Sequence, residues 1–343
     1  MAGRQRELSI WTGYLGKSAI QIFYGVFVIS LAFSFGACAQ TPVKLPLIAM
    51  LITGTPVGTE TNRASFRRAL ADLGYVEGRH YAVEERFAEG VASRLPQLAE
   101  ELVKLQPNVI LTSSTASTLA ARNTTSSIPI VAPLMGNAVG VGLIASQARP
   151  GGNITGILVT DDDLAAKQLA LARELVPSAR QIGVLVNSKN PGTDVQRKGA
   201  EAAAAALSMT LVIAEVDTSE AIEPAFDQLA RSGVGAVFVI GDALFFSERA
   251  RIASAALSAR LPTMFSFRDH VKAGGLMSYG VDLAANYRRA AAFTDKILKG
   301  TKPADLPVEL PTTFDVALNL KTAKALGLTI PPSVLVQANE VIE

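Results

Sequence analysis

The chain has 343 residues, 49% of them hydrophobic and 18% charged, which suits a folded protein of two domains and excludes a disordered one. Its 32 lysines and arginines stand against 30 aspartates and glutamates, a formal net charge of +2 that suggests neither a nucleic-acid partner nor a polybasic membrane patch. Two histidines and one cysteine rule out a disulfide framework and leave too little for a zinc centre or a confident catalytic triad.

Residues 1–39 read as a cleaved secretory signal. Arg4, Arg6 and Lys17 supply a positive start, residues 20–35 an apolar run, and Ala37-Cys38-Ala39 a small-x-small exit before Gln40. A transmembrane anchor is the alternative, since the run approaches ~18 residues, but the small-residue exit and Thr41-Pro42 favour cleavage. Gly36-Ala37-Cys38 also fits a lipidated cysteine in part, with Phe35 where lipoprotein signals carry a leucine-like residue. Cleavage after Ala39 removes Cys38, Trp11, three basic residues and one acidic one, leaving equal numbers of each charge.

From Leu45 onward strand-like and helix-like segments alternate. A short apolar run over 47–53 ends at Thr53-Gly54, and helical spacing of Phe66, Leu70 and Leu73 predicts a helix over 61–73 with Gly74 as its stop. Residues 81–87 alternate as an edge strand, 93–105 place four leucines on one helical face, and 109–111 form the next strand. Thr112-Ser113-Ser114-Thr115 then opens a helix through Arg122. A strand over 128–132, a loop over 134–139, a short helix over 141–148 and a strand over 154–160 follow.

The rhythm then repeats. Strands are expected over 181–186, 210–215, 236–240, 263–265 and 276–279, with helices over 164–175, 193–207, 221–232, 246–260 and 283–298. The prolines between 303 and 311 demand an extended segment, and a last short helix over 321–326 stops before Pro331-Pro332. Alternation of this kind predicts an α/β protein of two Rossmann-like lobes with parallel sheets. The expected division is 44–155 with 281–306 in one lobe and 156–280 with 312–343 in the other, joined by a hinge of several strands.

The segment 133–156, with its ARPGGNITG run, carries a resemblance, together with DLGYVEGRHY at 72–81, GGLMSYG at 274–280, DKILKGTKPADLPVE at 295–309 and NLKTAKALGLTIPPS at 319–333. In that order and register the chain resembles the ABC-transporter substrate-binding proteins of the tryptophan/tyrosine type, from about Lys44 to Glu343. The resemblance implies a type I periplasmic-binding-protein-like fold and an extracytoplasmic, monomeric protein with no cofactor and no enzymatic activity. Such a protein delivers a small amino-acid-like solute, aromatic in that family, to an inner-membrane permease.

In open α/β sheets ligands sit outside the carboxyl ends of the strands, so the candidate contacts are the strand-end residues. Thr53, Gly54 and Ser113-Ser114-Thr115 offer hydroxyls and helix-start N–H groups to an anionic end, although Ser113 or Ser114 reads equally as a helix N-cap. Asp242 offers a carboxylate to an ammonium, or is itself an N-cap. Asn187 and Asn190 offer amides, though Asn190-Pro191-Gly192 is also a turn. Tyr279 offers a ring for stacking and Gly280 a close backbone approach. Gly136 and Asn137 belong to the same set. Relatives carry Gly-Asp-Pro where this chain has Gly136-Asn137-Ala138, a carboxylate replaced by an amide, which points to altered specificity and argues against carrying the aromatic ligand over unchanged.

Other readings are weaker. Gly140-Val141-Gly142-Leu143-Ile144-Ala145 with Asp161 imitates a dinucleotide fingerprint, but the first glycine does not follow its strand at once and the helix is broken at Arg149-Pro150. The nicotinamide-enzyme alternative therefore lacks its local geometry. Asp161-Asp162-Asp163 read as the charged start of a helix, and His80 as a surface-loop residue. A sensor module of the same fold remains an alternative to transport, whereas a DNA-binding regulator would need a helix-turn-helix where the secretion signal stands.

Overall fold

The computed structural model describes residues 45–159, 161–190 and 192–343, and the side chains of residues 161–163 are not described. The secretion signal expected at 1–39, Cys38 included, lies outside the described residues, as does Pro191 of the expected turn. No helix among the described residues is long and apolar enough to cross a membrane.

Five parallel strands form the first sheet: β1 (Leu47–Ile52), β2 (Ala82–Phe87), β3 (Val109–Thr112), β4 (Ile130–Gly136) and β5 (Ile154–Val159), in the order β2-β1-β3-β4-β5. Successive residues of a strand face opposite sides of its sheet, and β1 shows why both faces must be covered. Ala49 and Leu51 pack beneath α2 (Leu95–Lys104) and α3 (Thr115–Thr124), with Leu98, Leu102 and Ala121. Ile48, Met50 and Ile52 pack on the other side beneath α1 (Glu60–Asp72) and the late helix α10 (Leu283–Leu298), with Phe66, Leu70 and Phe293. The edge strand β2 carries Glu84, Glu85 and Arg86, and charge on an exposed edge opposes further strand addition.

The second sheet has seven strands, β6 (Gln181–Val186), β7 (Thr210–Glu215), β8 (Ala236–Val239), β9 (Thr263–Phe265), β10 (Met277–Val281), β11 (Phe314–Asn319) and β12 (Glu340–Ile342). Their order is β12-β11-β10-β9-β8-β6-β7, and only the β10–β11 pair is antiparallel. The helices α4 (Asp161–Leu175), α5 (Thr193–Ala206), α6 (Ile222–Arg231), α7 (Ala243–Ser247), α8 (Arg249–Ser258), α9 (Arg268–Lys272), α11 (Leu320–Ala325) and α12 (Pro332–Leu335) complete this half.

The chain passes between the sheets three times: after Val159, between Val281 and Leu283, and between Glu309 and Phe314. The third passage is tied to the first, with Glu309 N donating to Gly156 O and Leu158 N to Glu309 O. Val159, Val281 and Leu283 cluster with Phe246 and partly buried Leu134, Leu164 and Phe267, so the first two crossings share one small apolar core.

Several expectations need correction. The boundary expected at 155 falls inside β5, which pairs with β4 through Val159 and belongs to the first sheet. Residues 134–136, expected in a loop, extend β4 past an irregularity between Ala132 and Met135, because β5 supplies Leu158 and Val159 as partners. Residues 141–148 are turns rather than a helix: Gly142 lies at φ +72°, and Leu143 and Ile144 turn back into the core. The helix expected over 246–260 starts earlier, capped by Asp242, and is interrupted at Glu248. Pro303–Asp305 form a single 3₁₀ turn before the extended stretch.

Candidate functional site

A cavity of about 150 Å³ opens between the two sheets at the carboxyl ends of their strands. On the first-sheet side the β3–α3 junction is held by hydroxyls. Ser114, with extended backbone, caps α3 by accepting from Ser117 N, and Ser117 Oγ in turn accepts from Ser114 N at 3.0 Å. Ser113 Oγ accepts from Thr53 N at 2.8 Å, Thr53 and Ser114 share a hydroxyl bond of 2.7 Å, and Thr115 Oγ1 accepts from Gly136 N at 2.9 Å. The strand ends β1, β3 and β4 are thereby tied into one rim. Thr115 N and Ala116 N, in the first turn of α3, have no acceptor among the described residues, and both residues line the cavity. Helix-start N–H groups of this kind suit a carboxylate.

Asp242 stands on the opposite side, 7% exposed, after β8. Its Oδ1 accepts from Asn187 Nδ2 at 3.0 Å and from Leu244 N at 2.8 Å, and its Oδ2 accepts from Asn190 Nδ2 at 2.7 Å. Asn187 Oδ1 and Asn190 Oδ1 accept from Lys189 N and Gly192 N, so the loop backbone fixes which way each amide points. Burial pushes the Asp242 carboxyl up from its ordinary range, against the pull of these donors. Asp242 is thus both N-cap and cavity group, and the two asparagines position it. It is the only carboxylate among the described lining residues, and no lysine, arginine or histidine is among them.

Apolar groups fill the space between. Phe246 and Phe267 meet edge to face, ring centroids 5.8 Å apart, beside Leu134, Val159 and Leu164. Behind this wall His270 stacks on Phe265 at 4.7 Å, and burial pushes its pKa down to about 4. It packs as a buried ring behind the wall and is not among the lining residues.

Of the expected contacts, the structure brings Thr53, Gly54, Ser113, Ser114, Thr115, Gly136, Asn137, Asn187, Asn190 and Asp242 to this cavity. Asn137 sits at φ +46°, a conformation that asparagine and aspartate both tolerate, with its amide folded over Gly140. Tyr279 and Gly280 are not among the lining residues. The Tyr279 ring stacks on Phe314 of the antiparallel neighbour β11, and a Cβ on Gly280 would meet Ser266 O, just after β9, at 1.8 Å. Asn62, Gln168, Phe246, Phe267 and Tyr287 line the cavity and were not anticipated. A signal existed for two of them: Asn62 shares the helical row of Phe66 and Leu70, and Gln168 that of Leu164 and Ala172, each a polar residue on an apolar stripe. The sequence that imitates a dinucleotide fingerprint has no helix after it, and the described residues contain no group of three or more histidine, cysteine, aspartate or glutamate side chains that would hold a metal.

Comparison with known proteins agrees with this architecture. The tyrosine-binding protein of Clostridioides difficile (strain R20291) is 27% identical over 267 residues, covering 78% of this chain and 76% of that protein. The structure of an ABC domain in complex with L-Trp from Streptococcus pneumonia superposes with a TM-score of 0.81 at 26% identity, over 87% of this chain and all of that one. A conserved domain protein from Vibrio cholerae gives a TM-score of 0.81 at 25% identity over the same shares. The fold is the type I periplasmic-binding-protein-like one. The family described as ABC transporter substrate binding protein matches residues 51–342, and with two lobes closing on one cavity at their strand ends, the chain belongs to that family.

Proposed function

We propose that this protein is the extracytoplasmic solute-binding component of an ABC importer and that its ligand is an amino acid with a flat, aromatic side chain. The observation that carries this reading is the pairing across the cavity of one buried carboxylate, Asp242, with the unpartnered first-turn N–H groups of Thr115 and Ala116. A zwitterion matches both: its ammonium meets Asp242 and its carboxylate the helix start. The side chain then lies against Phe246 and Phe267. The similarity to proteins named for tyrosine and tryptophan supports the same ligand class. Asn137 stands at φ +46°, which aspartate and asparagine both tolerate, so the amide at this position is compatible with that class.

Binding between lobes joined by three crossings implies closure about the hinge, and the closed form would present both lobes to a membrane permease. Residues 1–39 would direct export, with the mature protein acting as a monomer in the periplasm. No reaction is assigned: the hydrogen-bond partners of Asp242 among the described residues are two asparagine amides and backbone N–H groups, with no hydroxyl or imidazole among them.

The test is a thermal-shift and calorimetry screen of the purified protein against amino acids, nucleosides, small carboxylates and NADH. A ligand that binds only the folded state at a hundredfold excess over its Kd stabilises it by ~2.7 kcal/mol. Binding confined to aromatic amino acids supports the proposal. Binding confined to nucleosides or simple carboxylates replaces the ligand class, and a response to NADH alone sinks the transport reading.

A further inference from the structure

Gln168 is 1% exposed on α4, yet it lines the cavity. Its Nε2 donates to Tyr279 O at 2.7 Å and to Ser266 Oγ at 3.3 Å. A backbone carbonyl can only accept, so the end of the amide facing Tyr279 must be the nitrogen and its orientation is settled by chemistry. Oε1 therefore points the other way, and the only hydrogen bonds of the Gln168 side chain among the described residues are the two from Nε2. We infer that Gln168 is a specificity-determining residue, which selects a ligand whose aromatic side chain carries an N–H or O–H donor, an indole or a phenol, over an unsubstituted phenyl ring. This rests on the aromatic amino-acid reading of the site proposed above.

The placement agrees with that role. Asp242 follows β8, Ser266 follows β9 and Tyr279 lies in β10, three neighbours in the second sheet. Adjacent strands are ~4.8 Å apart, so the groups that anchor Gln168 lie roughly one to two strand spacings from Asp242. A ligand whose ammonium sits at Asp242 would extend its side chain past Phe246 and Phe267 towards Gln168. An aliphatic side chain brings no donor there. A phenyl ring brings the area but leaves Oε1 unpaired in a cavity from which it has displaced water, and an unpaired buried acceptor is costly.

The experiment is calorimetric titration of the protein with two pairs of probes. One pair is tyrosine and phenylalanine. The other is tryptophan and 3-benzothienylalanine, its near-isostere in which sulfur replaces the ring N–H. In the unmodified protein the donor-bearing member of whichever pair binds should be at least about tenfold tighter than its counterpart. Gln168→Met is close in volume and lacks the carboxamide. It should narrow that ratio to within about threefold, while the melting temperature of the ligand-free variant reports any structural damage separately. A packing role alone would weaken all probes in parallel and leave the ratio intact, which overturns the inference. Equal affinity within each pair in the unmodified protein also overturns it, leaving the amino-acid reading in place. Failure of all four probes removes that reading and the inference with it. Where Gln168→Met does not fold, the same ratio is read in Gln168→Leu, which also lacks the carboxamide.

Discussion

Asp242→Asn separates the two duties of that side chain. The asparagine carbonyl keeps the bonds that Oδ1 receives from Asn187 Nδ2 at 3.0 Å and Leu244 N at 2.8 Å, so the cap of α7 survives. The new amide replaces Oδ2, where Asn190 Nδ2 now donates at 2.7 Å, and two NH₂ groups would face each other. That loss is worth about 1 kcal/mol or somewhat more. Against it, burial holds the carboxyl above its ordinary pKa, so the folded protein bears a cost for the charge that asparagine does not. This cost is absent below the unfolded pKa and complete above the folded one. The variant should therefore gain relative to the unmodified protein as pH rises through that window. Near neutral pH its stability, from urea denaturation without ligand, should lie within ~2 kcal/mol of the original.

Affinity should behave differently. Removing one charge of a desolvated, hydrogen-bonded pair costs about 2–5 kcal/mol, so binding of an aromatic amino acid should weaken by about 30-fold or more. Asp242→Ala provides the contrast, because it also deletes the cap, worth about 1 kcal/mol, and strands the Asn187 and Asn190 amides at about 1–3 kcal/mol each. The alanine variant should lose both stability and binding. An Asp242→Asn protein that folds and binds within threefold of the original would refute the assignment of the ligand ammonium to Asp242.

Two further predictions concern the frame. Gly156 has φ +144°, and a Cβ there would lie 1.9 Å from Ala132 O, so Gly156→Ala should lower stability by more than ~2 kcal/mol. Gly152→Ala, where nothing lies within 4 Å, should stay within ~0.5 kcal/mol by the same denaturation assay. His270, held neutral to about pH 4 by burial, resists a proton that the unfolded chain accepts near 6.5. Its contribution is whole above 6.5 and is lost as pH falls towards 4, on the order of 3 kcal/mol. His270→Phe should flatten that part of the stability–pH profile, and an unchanged slope between pH 4 and 7 would refute the assignment.

The sequence-based alternatives of cap or ligand contact at Ser114 and Asp242 turn out not to exclude each other. In a parallel α/β layer the residue that ends a strand often begins the next helix, and that same point faces the cleft. Ser114 and Asp242 therefore cap their helices from the cavity wall. Tyr279 was misplaced for a related reason. A strand's alternation is visible locally, but what a side chain meets on its face depends on the neighbouring strands. Here one neighbour is β11, whose pairing with β10 joins residues some 40 positions apart in the chain and leaves no local mark.

What the sequence determined by itself is what short-range physics encodes. Period and punctuation place β6, β7, β9 and α10 at their bounds, because apolar spacing and helix stops act within a few residues. The strand-end positions of Thr53, Ser113 and Asp242 follow from the same local rules. Tertiary structure alone decided the rest. It carried β4 through residue 136 by pairing it with β5, and it denied residues 141–148 a helix by burying Leu143 and Ile144. It also turned Gln168 from an oddity on an apolar stripe into an oriented acceptor, since its direction is set by a carbonyl on a strand more than a hundred residues away. Contacts of that range are made only when the lobes have packed, and they determine where each polar group points.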